Sequence, residues 1–242
     1  MRYNINYLLL VPIAMIQHHT FTDAPSAAFA LAQAVANALR DTLSRQPHAT
    51  LAVSGGRSPI AFFQALNTQD LDWSRVNITL VDERIVATTH ADSNTALVRE
   101  YLLQNRAAVA RWLPLIADGE LAPTPAVALP FAQQHFVQPD VVVLGMGADG
   151  HTASLFPQAP QLSAALAPDA PALLHTSPLT APHERLTLSL PAIERAAAVF
   201  LAIGGAEKLA VYQQAAERAR MDLPVSLILH SEKVRVDVYS HP

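Results

Sequence analysis

A chain of 242 residues with 51% apolar and 15% charged side chains is long and apolar enough for one large buried core, which excludes a disordered polypeptide. Its formal net charge of -4 offers no global attraction to nucleic acid, so basic residues matter only where they cluster. Zero cysteines exclude disulfides, thiolate catalysis and thiolate-ligated metals; they fit a reducing compartment, and a cytoplasmic protein is expected.

In chain order, Tyr7 to Ile16 is apolar but interrupted by Pro12, too short to span a bilayer, and followed by no small-x-small cleavage site before Asp23. Residues 1–16 therefore read as a non-essential leader, with Met15 opening the segment that leads into a single domain at 17–242. Ala24 to Ser44 carries apolar residues at helical spacing, and His48 to Val53 reads as a strand. Between that strand and a helix over Ser58 to Leu66 lies Ser54-Gly55-Gly56-Arg57-Ser58-Pro59. Glycines expose successive amides and a helix start adds partial positive charge, which suits an anion; the same glycines also serve a tight turn.

Val76 to Val81 reads as a second strand ending in Asp82-Glu83-Arg84, two acids and a cation at one sheet rim. Such charges are either solvated or a cation site, but no histidine cluster or further acid lies at ligand spacing, so no metal is expected. Ser93 is placed as the N-cap of a helix to Gln104. Ala117 to Pro130, with three prolines, reads as a surface connection into a short helix around Phe131.

Asp140 to Pro157, DVVVLGMGADGHTASLFP, is the most informative stretch. A β-branched strand stops at a glycine-rich turn that presents His151 beside Asp149. At the carboxyl end of a strand in an open α/β sheet, that pair is a candidate acid/base with a positioned partner, or a loop histidine that caps the next helix. Gly145, Gly147 and Gly150 formally spell a dinucleotide fingerprint. However, Pro157 and Pro160 follow instead of a long helix, and Asp169 lies in a proline- and alanine-rich stretch with no strand before it, so no nicotinamide cofactor is expected.

Gln158 to Pro182 is irregular, with a short strand at Leu173 to Thr176. Strands are expected at Leu186 to Leu190, Ala197 to Ile203, Val225 to Leu229 and Val234 to Tyr239, with a helix from Gly204-Gly205 to Arg218. Lys208 sits in the first turn of that helix, where the dipole gives a cation no stabilisation, so either an anionic ligand or simple solvation explains it. Arg185, just before its strand, offers a forked donor suited to phosphate. The alternation of helix and strand without a long linker predicts a single-domain α/β fold: an open, mostly parallel, Rossmann-like sheet with helices on both faces.

Together, SGGRSP at Ser54, VDER at Val81, SNTALVREYLL at Ser93, LGMGADGHTASLFP at Leu144, ERLTLSLPAI at Glu184 and GGAEK at Gly204 resemble the 6-phosphogluconolactonase family, in order over nearly the whole chain. The resemblance implies hydrolysis of 6-phospho-D-glucono-1,5-lactone in the oxidative pentose phosphate pathway, with no metal or organic cofactor, on a fold shared with glucosamine-6-phosphate deaminases. It makes His151 the proton-transfer residue with Asp149 beside it, and Arg84 the cation near the lactone. The phosphate lies against Ser54, Gly55 and Gly56, Arg185 and Lys208, with Arg57, Asp82 and Gly147 also expected along the substrate. The expected partner is a phosphorylated sugar lactone, without nucleic acid or membrane, and the chain is expected to be a monomer or weak homo-oligomer.

Two features depart from the family pattern. Arg57 stands where the family often has a small or hydroxylated residue, and His183 and Glu184 precede Arg185 where it often has proline and another residue. The sugar-phosphate deaminases share the SGG loop and the G-x-G-x-D-G-H turn, but typically continue into Ile-Ala-Phe-Asn-Glu-Pro. Thr152 to Pro157 and Arg84 remove a carboxylate and favour lactone hydrolysis. A non-catalytic sugar-phosphate sensor is expected to carry a helix-turn-helix before the domain, and the pattern before Ala24 does not read as one.

Overall fold

The computed structural model describes residues 16–242 apart from Arg57, so the leader up to residue 15 and the expected role of Arg57 lie outside the described residues, while Ile16, counted with the leader, belongs to the first strand. The chain enters through β1 (Ile16–Thr20), a strand that the sequence reading did not foresee, and continues into α1 (Ala24–Arg45). Asp23 starts this helix by accepting from the Ser26 amide at 2.8 Å, and a proline in the first turn has no amide to leave unpaired. Leu31, Val35, Leu39 and Leu43 recur every fourth residue and bury one stripe of α1, each worth roughly 1.5–3 kcal/mol when fully removed from water.

There follow β2 (Ala49–Val53), α2 (Ile60–Leu66), β3 (Val76–Leu80), β4 (Asp82–Arg84), α3 (Asn94–Tyr101), β5 (Arg111–Trp112), α4 (Pro125–Gln134) and β6 (Val141–Gly145). The second half contains α5 (Leu162–Leu166), β7 (Leu173–Thr176), β8 (Arg185–Leu188), α6 (Leu190–Glu194), β9 (Ala198–Gly204), α7 (Ala206–Glu217), α8 (Val225–Leu229) and β10 (Val236–His241). Seven strands form one parallel sheet in the order β1-β10-β9-β6-β2-β3-β5. Its central strands β2 and β3 are buried throughout, because a parallel sheet covered on both faces needs continuous apolar runs.

From β2 the chain moves outward through β3 to β5, then returns to lay β6 on the other side of β2 and proceeds to β9 and β10. The direction reverses between β2 and β6. Loops leaving the carboxyl ends of those two strands part in opposite directions and open a crevice, the usual ligand position in such sheets.

A second, antiparallel sheet of β4, β8 and β7 flanks the first. It was not foreseen: Asp82-Glu83-Arg84 is a strand of charged residues with no apolar alternation to betray it. Val225 to Leu229, expected as a strand, is instead one helical turn-and-a-half. Pro224 sets its start, and short apolar runs do not distinguish a buried helix from a strand by periodicity. The helix expected near Phe131 begins earlier, at Pro125, and contains Pro130. The Leu186 strand is shifted to Arg185–Leu188, since the Ser189 hydroxyl accepts from the Ala192 amide and starts α6.

Candidate functional site

A cleft of about 320 Å³ opens over the carboxyl ends of β2, β6 and β9. Ser54, Gly55 and Gly56 line it from the β2 loop, Gly147 and His151 from the β6 loop, and Lys208 from α7. Asp82, Arg84 and Arg185 reach it from the antiparallel sheet. Asp149 stands behind His151 and completes the set expected from sequence, apart from Arg57.

The two switch-point loops are tied directly, for the Ser54 hydroxyl accepts from the Gly145 amide at 3.0 Å and the Ser54 amide donates to the Val143 carbonyl at 3.0 Å. Gly55 is required by close approach: a Cβ there would lie 1.9 Å from Asn94 Oδ1. At the β9 end, Gly205 has φ +93° and its amide donates to the His241 carbonyl at 3.2 Å, which lets α7 begin with Lys208 half-buried at the cleft.

His151 Nδ1 lies 2.5 Å from Asp149 Oδ1, and the His151 amide donates to the same oxygen at 3.2 Å. Burial alone would raise the Asp149 carboxyl, but the hydrogen bond and charge of His151 outweigh it and hold the group below the usual carboxylate range. An ionised carboxylate only accepts, so in the neutral form of the imidazole the proton sits on Nδ1 and Nε2 carries the lone pair. The ring stacks on Phe156, with centroids 4.2 Å apart and planes 24° apart. A Cβ on Gly147 would fall 2.2 Å from His151 Nδ1, so this turn accepts nothing larger than glycine beside the pair.

The small residues after His151 knit its loop to the second sheet. Thr152 Oγ1 donates to the Gly145 carbonyl at 2.8 Å, the Ser154 amide to Thr187 Oγ1 at 3.1 Å, and Ser154 Oγ to Asp82 Oδ2 at 2.5 Å. Ala153, between them, is held at φ +47°, a left-handed conformation that only such fixed neighbours make tolerable.

Arg84 and Arg185 occupy opposite positions on β4 and β8. Arg84 Nη1 donates to the Asp92 carbonyl at 2.7 Å and to Asn94 Oδ1 at 2.8 Å. Arg185 is only 7% exposed; it lies 3.8 Å from Asp82 Oδ2, with its Cζ 5.5 Å from the Phe156 ring centroid. Burial pushes the Arg185 guanidinium down and Arg84 adds to this, while Asp82 opposes both. Among the described residues the Nε–H of each arginine is buried without an acceptor. A buried unpaired donor is costly, and two of them beside one cleft suit an anionic ligand.

Sequence reasoning missed Glu83. It is fully buried, and its carboxylate accepts from the amides of Arg84 at 2.7 Å, Asn94 at 2.8 Å and Thr95 at 2.7 Å, and from the hydroxyls of Thr95 at 2.8 Å and Ser93 at 3.2 Å. Burial pushes this carboxyl up and the amides of Asn94 and Thr95 pull it partly back. The group thereby fixes the start of α3 and with it Asn94, the Arg84 partner. His241 and Tyr239 also line the cleft. The reading ended β10 at Tyr239, whereas the strand pairs His241 with Gly204 and so reaches the cleft edge.

The expectation that no histidine cluster has ligand spacing is corrected. His90 and Asp92, two residues apart, and the distant His183 bring one ligand atom each to within 4.8 Å of one another. The antiparallel pairing of β4 and β8 joins their loops, a proximity that linear spacing does not reveal.

Fold and cleft together define a doubly wound α/β protein with a cation-lined crevice at its switch point. The chain belongs to the glucosamine-6-phosphate isomerase/6-phosphogluconolactonase family, whose model matches residues 22–237. It is 53% identical to the 6-phosphogluconolactonase of Neisseria meningitidis over 228 residues, 93% of this chain and 99% of that one. The structure of a 6-phosphogluconolactonase from Shewanella baltica superposes with a TM-score of 0.86 at 38% identity, covering 94% of this chain and 98% of the other. A monomeric glucosamine-6-phosphate deaminase shares the fold with a TM-score of 0.71 at 17% identity, over 93% of this chain and 97% of that one. The family resemblance carried by the sequence motifs and the expected fold class are thus borne out.

Proposed function

We infer that the protein hydrolyses 6-phospho-D-glucono-1,5-lactone to 6-phospho-D-gluconate, the lactonase step of the oxidative pentose phosphate pathway. What carries this reading is the His151–Asp149 pair in one cleft with Arg84, Arg185 and Lys208, in a chain 53% identical to an enzyme of that name. His151 Nε2 accepts a proton from water as the oxygen adds to the lactone carbonyl carbon. Asp149 accepts a hydrogen bond from Nδ1–H and, remaining ionised, steadies the imidazolium that forms. The carbonyl π pair moves onto oxygen, and Arg84 stabilises that developing negative charge. Collapse of the tetrahedral intermediate breaks the bond to the ring oxygen, which leaves as a hydroxyl by taking the proton from His151. The products are the open-chain hydroxyl and a carboxylic acid, which ionises in water.

The phosphate is assigned to the Ser54 hydroxyl, the Gly55 and Gly56 amides, Arg185 and Lys208, with Asp82 orienting Arg185 and Gly147 leaving the approach to His151 open. No metal or organic cofactor takes part in this scheme. A cytoplasmic location accords with the absence of cysteines, and among the described residues no helix is long and apolar enough to cross a membrane. A monomer or weak homo-oligomer is the proposed assembly. Purified protein assayed on freshly generated lactone, with spontaneous hydrolysis subtracted, tests the reading. Enzymatic opening of the lactone without ammonia release from glucosamine 6-phosphate is expected, and the reverse pattern would assign the deaminase activity instead.

A further inference from the structure

We propose that His90, Asp92 and His183 form a binding site for a divalent cation of the zinc class, separate from the cleft. His90 and Asp92 lie in the loop between β4 and α3, and His183 in the loop that enters β8. One ring nitrogen from each histidine and one carboxylate oxygen converge within 4.8 Å. His183 Nε2 is 2.8 Å from Asp92 Oδ2, and the Asp92 amide donates to His90 Nδ1 at 3.0 Å.

Two imidazoles and one carboxylate are the donor set that zinc, cobalt and nickel prefer, and three protein ligands leave coordination positions for water. Bonds of about 2.1 Å in a tetrahedral shell place ligand atoms about 3.4 Å apart, so on binding the His183–Asp92 pair opens from 2.8 Å and exposed His90 turns inward, exchanging its bond from the Asp92 amide for the ion. His183 stands at φ +70°, an uncommon conformation for a side-chain-bearing residue, and its ring is thereby set against Asp92.

None of the three residues lines the cleft, so the ion takes no part in the hydrolysis. Its effect is mechanical. It ties the loop after Arg84 to the loop before Arg185, and the Asp92 carbonyl already holds Arg84 Nη1. The Arg84 guanidinium also faces Asp92 through that bond, and its charge opposes cation binding.

The test is a calorimetric titration of the full-length protein with zinc chloride, with cobalt(II) absorption as the spectroscopic readout, in the wild type, His90→Ala and His183→Asn. Asparagine tolerates the left-handed backbone at 183, and His90 is exposed, so both variants should fold; circular dichroism verifies this. The wild type should show one saturable site, a cobalt d–d band of imidazole-carboxylate character and a zinc-dependent rise in Tm. Each variant should bind at least about tenfold more weakly and lose the Tm rise. Absence of saturable binding in the wild type, or equal affinity in all three proteins, as when zinc sits on His151 and Asp149, would overturn the proposal.

Discussion

Arg84 and Arg185 face each other across the β4–β8 pair, and each buries an Nε–H that no described residue accepts. Like charges directly opposite in a sheet destabilise it, and Asp82, 3.8 Å from Arg185, answers only part of the excess. Stability is thus given up where an anion offsets it. Inorganic phosphate or 6-phosphogluconate should raise Tm once its concentration exceeds Kd, and Arg185→Gln should move the onset of that rise to higher concentration. A scanning-fluorimetry series in which both proteins begin to gain Tm at the same ligand concentration would remove Arg185 from anion binding.

The same pair should divide its labour in kinetics. Arg185→Gln and Lys208→Ala should raise KM for the phosphorylated lactone far more than for unphosphorylated gluconolactone, because each removes a ground-state contact to phosphate. Arg84→Gln should instead lower kcat, since charge that appears only in the transition state is what it stabilises. Steady-state measurements on both substrates separate the two behaviours.

Much of this site was legible because its residues sit on loops punctuated by glycine. Ser54–Gly56, Gly147–His151 and Gly204–Lys208 each follow an apolar strand, and a parallel sheet gathers the carboxyl ends of its strands at one edge. What was not legible depends on pairing between distant segments. No local pattern announces β4, whose residues are all charged, so neither the Arg84–Arg185 opposition nor the Glu83 contacts to α3 could be read from spacing. The His90–Asp92–His183 cluster escaped for the same reason, as His183 joins the other two only when β4 and β8 pair. Val225–Leu229 failed differently, since five apolar residues fit a strand and a helical turn equally well.

His151→Ala should lose roughly 10²- to 10⁴-fold in kcat with the fold intact, the usual worth of one general acid/base. Asp149→Asn should also lower kcat while preserving KM, because an amide no longer stabilises the imidazolium. Gly147→Ala provides an independent check: its methyl would meet His151 Nδ1 at 2.2 Å and must displace the ring. Near-wild-type turnover in correctly folded His151→Ala would exclude the histidine from the mechanism.

Exhaustive dialysis against a chelator should leave lactonase activity unchanged, because no step assigned to His151, Arg84 or the phosphate loop uses a metal. Any cation removed from His90, Asp92 and His183 should register in Tm rather than in kcat. Activity that vanishes and returns with a divalent ion would contradict this scheme.

Glu83 gives the sharpest prediction for stability and its pH dependence. Its carboxylate accepts five hydrogen bonds in a fully buried site, so Glu83→Ala leaves several amides and hydroxyls without partners and should destabilise by more than about 3 kcal/mol. Glu83→Gln should also destabilise, since its amide nitrogen must confront a donor on one side. Because burial raises this carboxyl above its unfolded value, the native state holds the proton over a pH range in which the unfolded chain has released it. The Glu83 contribution therefore falls as pH rises from the unfolded to the folded value, opposite in sign to that of Asp149, whose lowered carboxyl loses stability as pH falls. Urea unfolding of wild type and Glu83→Gln across that range should give a stability difference that shrinks with rising pH, and a difference that grows instead would show that the carboxyl titrates in the opposite direction.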